Sequence, residues 1–230
     1  MRFQDAARDG RAVVYAAIQA DPLVARAGAL LADVGPAERL LARAVMNGER
    51  TDPAAWRRMF PSLFGPNVPA DGLAAAEAVL AVSLEVADRG DQVRSQVRGA
   101  IVEAVTAGLL ARRGAPVAAA VRRERRILFD GVAAEIHPYD VTVEIAERAE
   151  AWDCKWGARG IGPDVLHQLD DARSHAADED ERITVGLVVF DALRSCEVRL
   201  DRQTAPHAAT ELVTIETLDR LAAPDLARPT

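Results

Sequence analysis

Two acidic residues and a lysine stand close together in the middle of the chain. Asp140 begins the segment 140–145, and Asp153 and Lys155 alternate with apolar residues in the next segment. Such alternation is typical of strands with one apolar and one polar face. If residues 146–149 link the two strands as an antiparallel hairpin, Asp140 lies opposite Lys155. All three polar side chains then share one face of the sheet.

This set of side chains suits the metal-assisted hydrolysis of a phosphate ester. Hard divalent cations such as Mg²⁺ take oxygen ligands, commonly one or two carboxylates together with water and substrate phosphate oxygens. The bound ion lowers the pKa of a water ligand and neutralises charge that develops at phosphorus. A lysine beside that water can orient it, assist its deprotonation or stabilise the pentavalent state. The alternative is an ion pair on a solvated strand, but Trp152 and Trp156 favour a central strand.

The identity of the basic residue adds to this interpretation. Lys155 is the only lysine among the 28 basic residues of the chain. An ammonium is a compact charge whose pKa can shift on burial, whereas a guanidinium is a planar fork that stays charged. A single lysine can survive by chance in an arginine-rich composition, but its place beside two acids indicates that this position needs an amine.

Further residues precede and follow the hairpin in a recognisable order. Tyr139-Asp140 follows a proline, Asp153-Cys154-Lys155 forms an acid-x-lysine triplet, Glu103 lies on the preceding helix, and Gln168 lies on the following one. This order resembles the PD-(D/E)XK nuclease superfamily, in particular its RecB-like and Holliday-junction-resolvase-like branches. The resemblance covers about residues 91–200.

The resemblance implies a fold, a cofactor and a role for each residue. The fold is α/β, a restriction-endonuclease-like mixed sheet flanked by helices. Glu103, Asp140 and Asp153 hold Mg²⁺ or Mn²⁺, Lys155 handles the attacking water, and Gln168 positions the substrate or the lysine. The products carry 5'-phosphate and 3'-hydroxyl ends, and such enzymes act in restriction, repair or antiviral defence. Because a tyrosine interrupts the Pro-Asp pair, Asp130 is an alternative first ligand.

The remaining sequence predicts two regions. Residues 1–90 form an all-helical N-terminal region for partner or dimer contacts, and residues 91–230 form the nuclease-like domain. Proline and glycine punctuate the predicted helices, which are 4–19, 22–33, 36–46, 53–59, 71–88, 91–113, 163–176 and 217–222. Alternating and β-branched residues predict strands at 125–129, 132–136, 140–145, 151–156, 183–190, 196–200 and 212–215.

The charge distribution limits how this chain can bind nucleic acid. The formal net charge is −7, while residues 90–160 are close to neutral. Phosphate contacts require clustered basic residues, and the candidates are Arg122, Arg123, Arg125, Arg126 and Arg159. We therefore expect weak, salt-sensitive binding by a monomer, and a homodimer or a larger complex as the working form.

Composition also bears on compartment and on rival functions. The two cysteines lie in strand-like surroundings, the N-terminus does not resemble a signal peptide, and no apolar run is long enough to span a bilayer. We expect a cytoplasmic protein with no membrane partner, acting on DNA. The sequence leaves two alternatives open, a nuclease acting on RNA and a non-catalytic scaffold subunit that retains the fold.

Overall fold

The structure, a computed structural model, divides into two compact units. It describes residues 1–6, 10–48, 52–114, 119–133, 137–145, 148–179 and 181–223. One unit comprises Gly10–Val105, and the other comprises Met1–Asp9 together with Thr106–Thr230. Helix α7, Asp91–Gly114, continues from the first unit into the second. The predicted domain boundary after residue 90 lies at the start of this helix.

The unit Gly10–Val105 is built from helices in its described residues. Before α7 come α1 (Gly10–Gln19), α2 (Pro22–Asp33), α3 (Pro36–Asn47), α4 (Pro53–Met59), α5 (Pro61–Phe64) and α6 (Ala70–Ala87). Asp21 accepts a hydrogen bond of 2.8 Å from the N–H of Leu23, and Asp52 accepts one of 2.9 Å from that of Ala54. These caps and the prolines that follow them begin α2 and α4, whose predicted bounds are confirmed.

The other unit contains a mixed sheet. Its strands are β1 (Arg2–Asp5), β2 (Ala120–Phe129), β3 (Val132–Ala133), β4 (Tyr139–Ile145), β5 (Arg148–Lys155), β6 (Ile183–Val189) and β7 (Glu211–Thr214). They lie in the order β1-β2-β4-β5-β6-β7, with β3 paired to β2. Pairing is antiparallel from β1 to β5 and parallel from β5 to β7. The predicted mixed α/β class is therefore confirmed.

Helices α8 (Pro163–Asp178) and α9 (Leu193–Leu200) belong to the same unit and contribute to its core. Helix α8 buries Leu166 and Leu169 in a core that includes Ile127 and Leu187 of the sheet. Helix α9 buries Cys196 in the same core.

In the described part of the chain, no helix combines the length and the apolar character needed to cross a bilayer.

Two predicted elements were wrong. Residues 196–200 are part of α9 and not a strand. Cys196, Val198 and Leu200 alternate in sequence with polar residues, which suggested a strand. In the helix only Cys196 of these three is buried, because a helix turns a single face towards the core. Residues 4 and 5 belong to β1 and not to the predicted helix 4–19, because Phe3 and its neighbours pair with β2.

The register of the β4–β5 hairpin also differs from the prediction. Thr142 pairs with Ala151 and Val141 with Trp152, so the predicted pairing of Asp140 with Lys155 is wrong. The strands end at Ile145 and resume at Arg148, and this link is two residues shorter than the predicted one. A shift of two residues preserves the face of every side chain, because faces alternate with a period of two.

A buried ion pair fixes the end of α7 to the sheet. Arg113 lies 2.5 Å from a carboxylate oxygen of Glu150, and the same oxygen accepts a hydrogen bond of 3.0 Å from the indole N–H of Trp152. Glu150 is only 5% exposed. Such a carboxylate needs its cation, because an unpaired charge in this position would lose its solvation without compensation.

We expect Arg113→Met to destabilise the protein by about 3 kcal/mol, since it leaves the Glu150 charge buried and unpaired. The double variant Arg113→Met/Glu150→Gln should recover most of this loss, because the glutamine oxygen can still accept from Trp152. Urea denaturation of the two variants measures the difference. Equal destabilisation of the single and double variants would contradict the assignment of Arg113 to a structural pair.

Candidate active site

Asp140, Asp153 and Lys155 come together where β4 and β5 run side by side. One carboxylate oxygen of Asp140 accepts a hydrogen bond of 2.6 Å from the backbone N–H of Cys154, the residue between the other two. The Lys155 ammonium forms an ion pair with the carboxylate of Asp153. Asp153 is buried, and Lys155 is partly accessible. The two halves of the predicted motif thus lie next to each other within one compact unit.

The charges around Lys155 favour its ammonium form. Burial of the amine lowers its pKa, whereas the carboxylates of Asp153 and Asp140 raise it. The carboxylates outweigh burial, so the pKa of Lys155 lies above the ordinary value for a lysine. Lys155 therefore places a positive charge beside both acids.

Glu124 is an acidic residue of this site that the sequence analysis did not identify. Its neighbours Arg123 and Arg125 pair with Val141 and Tyr139, which places Glu124 across from Asp140. Carboxylate oxygens of Glu124 and Asp140 lie within 4.8 Å of each other. Two acids at this distance repel each other unless a cation or a proton lies between them. The pair therefore has the oxygen donors and the spacing that a divalent cation uses.

The backbone of Glu124 is strained. Its φ is 53°, in the left-handed region that non-glycine residues adopt at a cost of about 1–3 kcal/mol. Such strain inside a strand persists only where surrounding contacts impose it, and it clusters at functional sites. The only sequence signal for this residue was an acid interrupting a run of four arginines.

The aliphatic part of Lys155 packs against the turn that follows β5. A Cβ added to Gly160 would lie 2.9 Å from Cδ of Lys155 and 3.1 Å from its Cβ and Cγ. No side chain fits in that space unless the lysine moves. Gly160 therefore sets where the Lys155 side chain can lie.

The nuclease resemblance predicts that Gly160→Ala lowers the rate constant of cleavage by about tenfold or more, because the added methyl group would displace the Lys155 side chain by a fraction of an ångström to about 1 Å. The matched control is Gly162→Ala in the same loop, where an added Cβ meets nothing within 4 Å. Both variants should be assayed on plasmid DNA and by thermal unfolding. Equal activity of the two variants would contradict the role given to Gly160.

Gln168 contacts the chain that leads into β4. Its side-chain N–H donates a hydrogen bond of 3.1 Å to the backbone oxygen of His137, and its own backbone oxygen accepts one of 3.2 Å from the Tyr139 hydroxyl. These two bonds connect α8 to the residues immediately before Asp140. Gln168 therefore helps to hold the start of β4, the strand that carries Asp140, in place.

Glu103 belongs to the helical unit and lies on α7. It is 3% exposed, and its carboxylate accepts hydrogen bonds from the Tyr15 hydroxyl and, at 2.7 Å, from the side-chain amide of Gln19. Both partners lie on α1. These two neutral donors satisfy the buried carboxylate within the helical unit, and no local sequence pattern indicated them.

Arg125, one of the predicted phosphate-binding residues, is already paired. Its guanidinium contacts the carboxylate of Glu144 at 2.8 Å and also forms an ion pair with Asp5. Its side chain is only 15% exposed. Arg125 therefore stabilises the contact of β2 with its neighbouring strands in this structure.

The other predicted arginines do not share one surface. Arg122 and Arg159 are exposed, whereas Arg123 and Arg126 are partly buried. Adjacent residues of a strand point to opposite faces, so Arg122 and Arg123 cannot lie on the same side of β2. Of this predicted set, Arg122 and Arg159 are the residues most accessible to a phosphate.

Asp130, the alternative first ligand, lies far from these acids. It is exposed in the turn between β2 and β3, with a φ of 47°. Extended chain from position 124 to position 130 spans about 20 Å. Since Glu124 faces Asp140, Asp130 does not join the pair.

The candidate active site of the sheet unit thus comprises Glu124, Asp140, Asp153 and Lys155, with Gly160 and Gln168 as supporting residues. Comparisons with models of protein families, with curated proteins and with solved structures find nothing that matches this chain.

Proposed function

We propose that this chain is a metal-dependent nuclease with a restriction-endonuclease-like core, hydrolysing phosphodiester bonds of DNA. One observation carries the proposal. The carboxylate of Asp140 binds the backbone N–H between Asp153 and Lys155, so two acids and the only lysine converge on one short stretch of β5. The resemblance of these residues to the PD-(D/E)XK motif supports the same conclusion.

The donor set fits a hard divalent cation. Glu124 and Asp140 offer carboxylate oxygens within 4.8 Å of each other. Asp153, which is buried and paired with Lys155, is a ligand that the sequence resemblance implies. Oxygen donors of this kind suit Mg²⁺ or Mn²⁺. Glu103 is the further ligand that the sequence resemblance implies. When bound, the ion supplies an acidified water and neutralises negative charge at phosphorus.

Lys155 stabilises charge in the proposed reaction, and Asp153, Gly160 and Gln168 position the site. The Lys155 ammonium donates hydrogen bonds and stabilises negative charge that develops on the phosphate. Its ion pair with Asp153 holds it at the site, and Gly160 limits its movement. Gln168 holds the segment before Asp140 in place. None of these roles requires the thiol of Cys154, which is directed to the hydroxyl of Thr106.

Substrate binding follows from the charge distribution. The chain is acidic overall, at −7, and Arg125 is engaged by Glu144. Arg122 and Arg159 supply the phosphate contacts in our proposal, and a homodimer or larger complex supplies the rest. Binding through two cations per chain should be weak, and its affinity should fall with salt concentration by a slope proportional to the number of phosphates contacted.

The test is a cleavage assay with purified protein on supercoiled plasmid, linear duplex, single-stranded DNA and RNA. Each substrate is incubated with Mg²⁺, Mn²⁺ or EDTA. We expect DNA cleavage with either metal, none with EDTA, and products with 5'-phosphate ends. Cleavage confined to RNA would overturn the substrate. Absence of cleavage on all four substrates, with no Mn²⁺ binding by calorimetry, would overturn the function in favour of a scaffold role.

A further inference from the structure

The position of Lys155 depends on a loop as well as on the acids that pair with it. A Cβ added to Gly160 would lie 2.9–3.1 Å from the Cβ, Cγ and Cδ atoms of the lysine, so the side chain of Lys155 lies close against this glycine. Gly160 ends the short 3-10 turn Ala158–Gly160. A movement of this turn would therefore change the space in which the lysine side chain lies.

The turn is anchored at its first residue. The backbone N–H of Ala158 donates a hydrogen bond of 3.0 Å to a carboxylate oxygen of Asp191. An N–H at the start of a helical turn has no partner within the turn and must find one outside it. Within the turn, the N–H of Gly160 bonds to the oxygen of Gly157 at 2.9 Å. Asp191 thus satisfies the donor that the turn itself leaves open.

Asp191 is itself rigidly held. It directly follows Phe190 at the end of β6 and is 7% exposed. Its second carboxylate oxygen accepts a hydrogen bond of 2.8 Å from the N–H of Ala192, and its backbone oxygen accepts one of 3.2 Å from Ile215. Hydrogen bonds from backbone N–H groups to a charged acceptor are stronger than bonds between neutral groups. These hydrogen bonds therefore hold the Asp191 carboxylate in one position at the end of β6.

The same strand end also holds the main chain of the lysine. Lys155 pairs with Val189 in the parallel β5–β6 ladder. The N–H of Phe190 donates a hydrogen bond of 2.8 Å to the backbone oxygen of Lys155. Three consecutive residues, Val189, Phe190 and Asp191, therefore hold both the backbone of Lys155 and the turn beside its side chain.

We propose that Asp191 is a positioning residue for Lys155, which it orients through the Ala158–Gly160 turn. The effect on catalysis rests on the proposed nuclease function. The effect on the position of the lysine does not, and it can be measured in a protein without activity.

The test uses Lys155 as its own reporter. Because the chain has one lysine, feeding ¹³C-labelled lysine gives one set of side-chain NMR signals, which Lys155→Ala assigns by removing them. Asp191→Asn keeps the size of the side chain but presents an amide N–H₂ to one of the two backbone donors. We expect it to shift the lysine ¹³Cε signal and to lower kcat about a hundredfold with little change in KM.

The matched control is Asp52→Asn. Asp52 likewise accepts a backbone N–H, that of Ala54 at 2.9 Å, but it caps a helix of the other unit. It should change stability little, because asparagine caps a helix about as well as aspartate, and it should leave the lysine signal and kcat unchanged. A shift of the lysine signal in Asp52→Asn equal to that in Asp191→Asn would overturn the proposal.

A second variant removes the same hydrogen bond from the other side. Ala158→Pro deletes the donor N–H, and the preceding Gly157, with φ −160° and ψ 165°, has the extended conformation that a following proline requires. If Asp191→Asn does not fold, this variant decides the question. The proposal would be overturned if Asp191→Asn and Ala158→Pro fold and their Lys155 ¹³Cε signals coincide with the signal of the wild type. Wild-type protein that cleaves nothing would refute the function alone, since the lysine signal still tests the positioning.

Discussion

Lys155→Arg is expected to abolish metal-dependent cleavage, with a loss of at least about a thousandfold in kcat. The charge is kept, but a planar guanidinium cannot occupy the place of a compact ammonium that pairs with Asp153 beside Asp140. Asp153→Asn should have an equal effect, because it removes both the partner of the ammonium and a proposed metal ligand. Single-turnover cleavage of plasmid DNA with saturating Mg²⁺ measures both losses.

The control for the lysine swap is the reverse exchange at a surface pair. Arg173 lies 2.7 Å from Asp170 on α8, and its side chain is 43% exposed, so Arg173→Lys should leave activity unchanged. Melting temperatures of Lys155→Arg, Asp153→Asn and Arg173→Lys should all lie above the assay temperature, so that a loss of cleavage does not reflect unfolding. Full activity of Lys155→Arg would show that position 155 needs only a positive charge, and the proposed chemistry would then be wrong.

Gly186→Ala is expected to destabilise the protein strongly. An added Cβ would lie 2.3 Å from Cζ3 of Trp152 and 2.6 Å from its Cε3. The ring cannot move away easily, because it is 2% exposed and its N–H is bonded to Glu150. We expect a loss of about 3 kcal/mol, which corresponds to a fall of roughly 10 °C in melting temperature.

A second substitution can separate steric overlap from a general effect on the strand. Trp152→Leu should restore part of the stability lost in Gly186→Ala, because it removes the atoms that the new Cβ meets. Gly108→Ala is the control, since Gly108 lies within α7 and an added Cβ meets nothing within 4 Å. It should stabilise the protein by up to about 1 kcal/mol. Independent, additive losses at positions 152 and 186 would contradict the overlap.

Local sequence was sufficient where short-range contacts decide the structure. The bounds of α2 and α4 were predicted because an aspartate and a proline together fix the first turn of a helix. The strand that carries Asp153 and Lys155 was predicted because polar and apolar residues alternate along it. Its register was wrong by two residues, yet the shared face survived, since an even shift does not exchange faces.

The sequence by itself thus determined the mixed α/β class, the hairpin with its acids and lysine, and most helix positions. Only the tertiary structure decided that residues 2–5 form a strand, since this depends on pairing with distant β2. It also decided that Glu124, with its left-handed backbone, faces Asp140, and that Asp191 anchors the turn beside Lys155. These contacts join residues far apart in sequence, and no local pattern of polarity or propensity encodes which distant strands lie side by side.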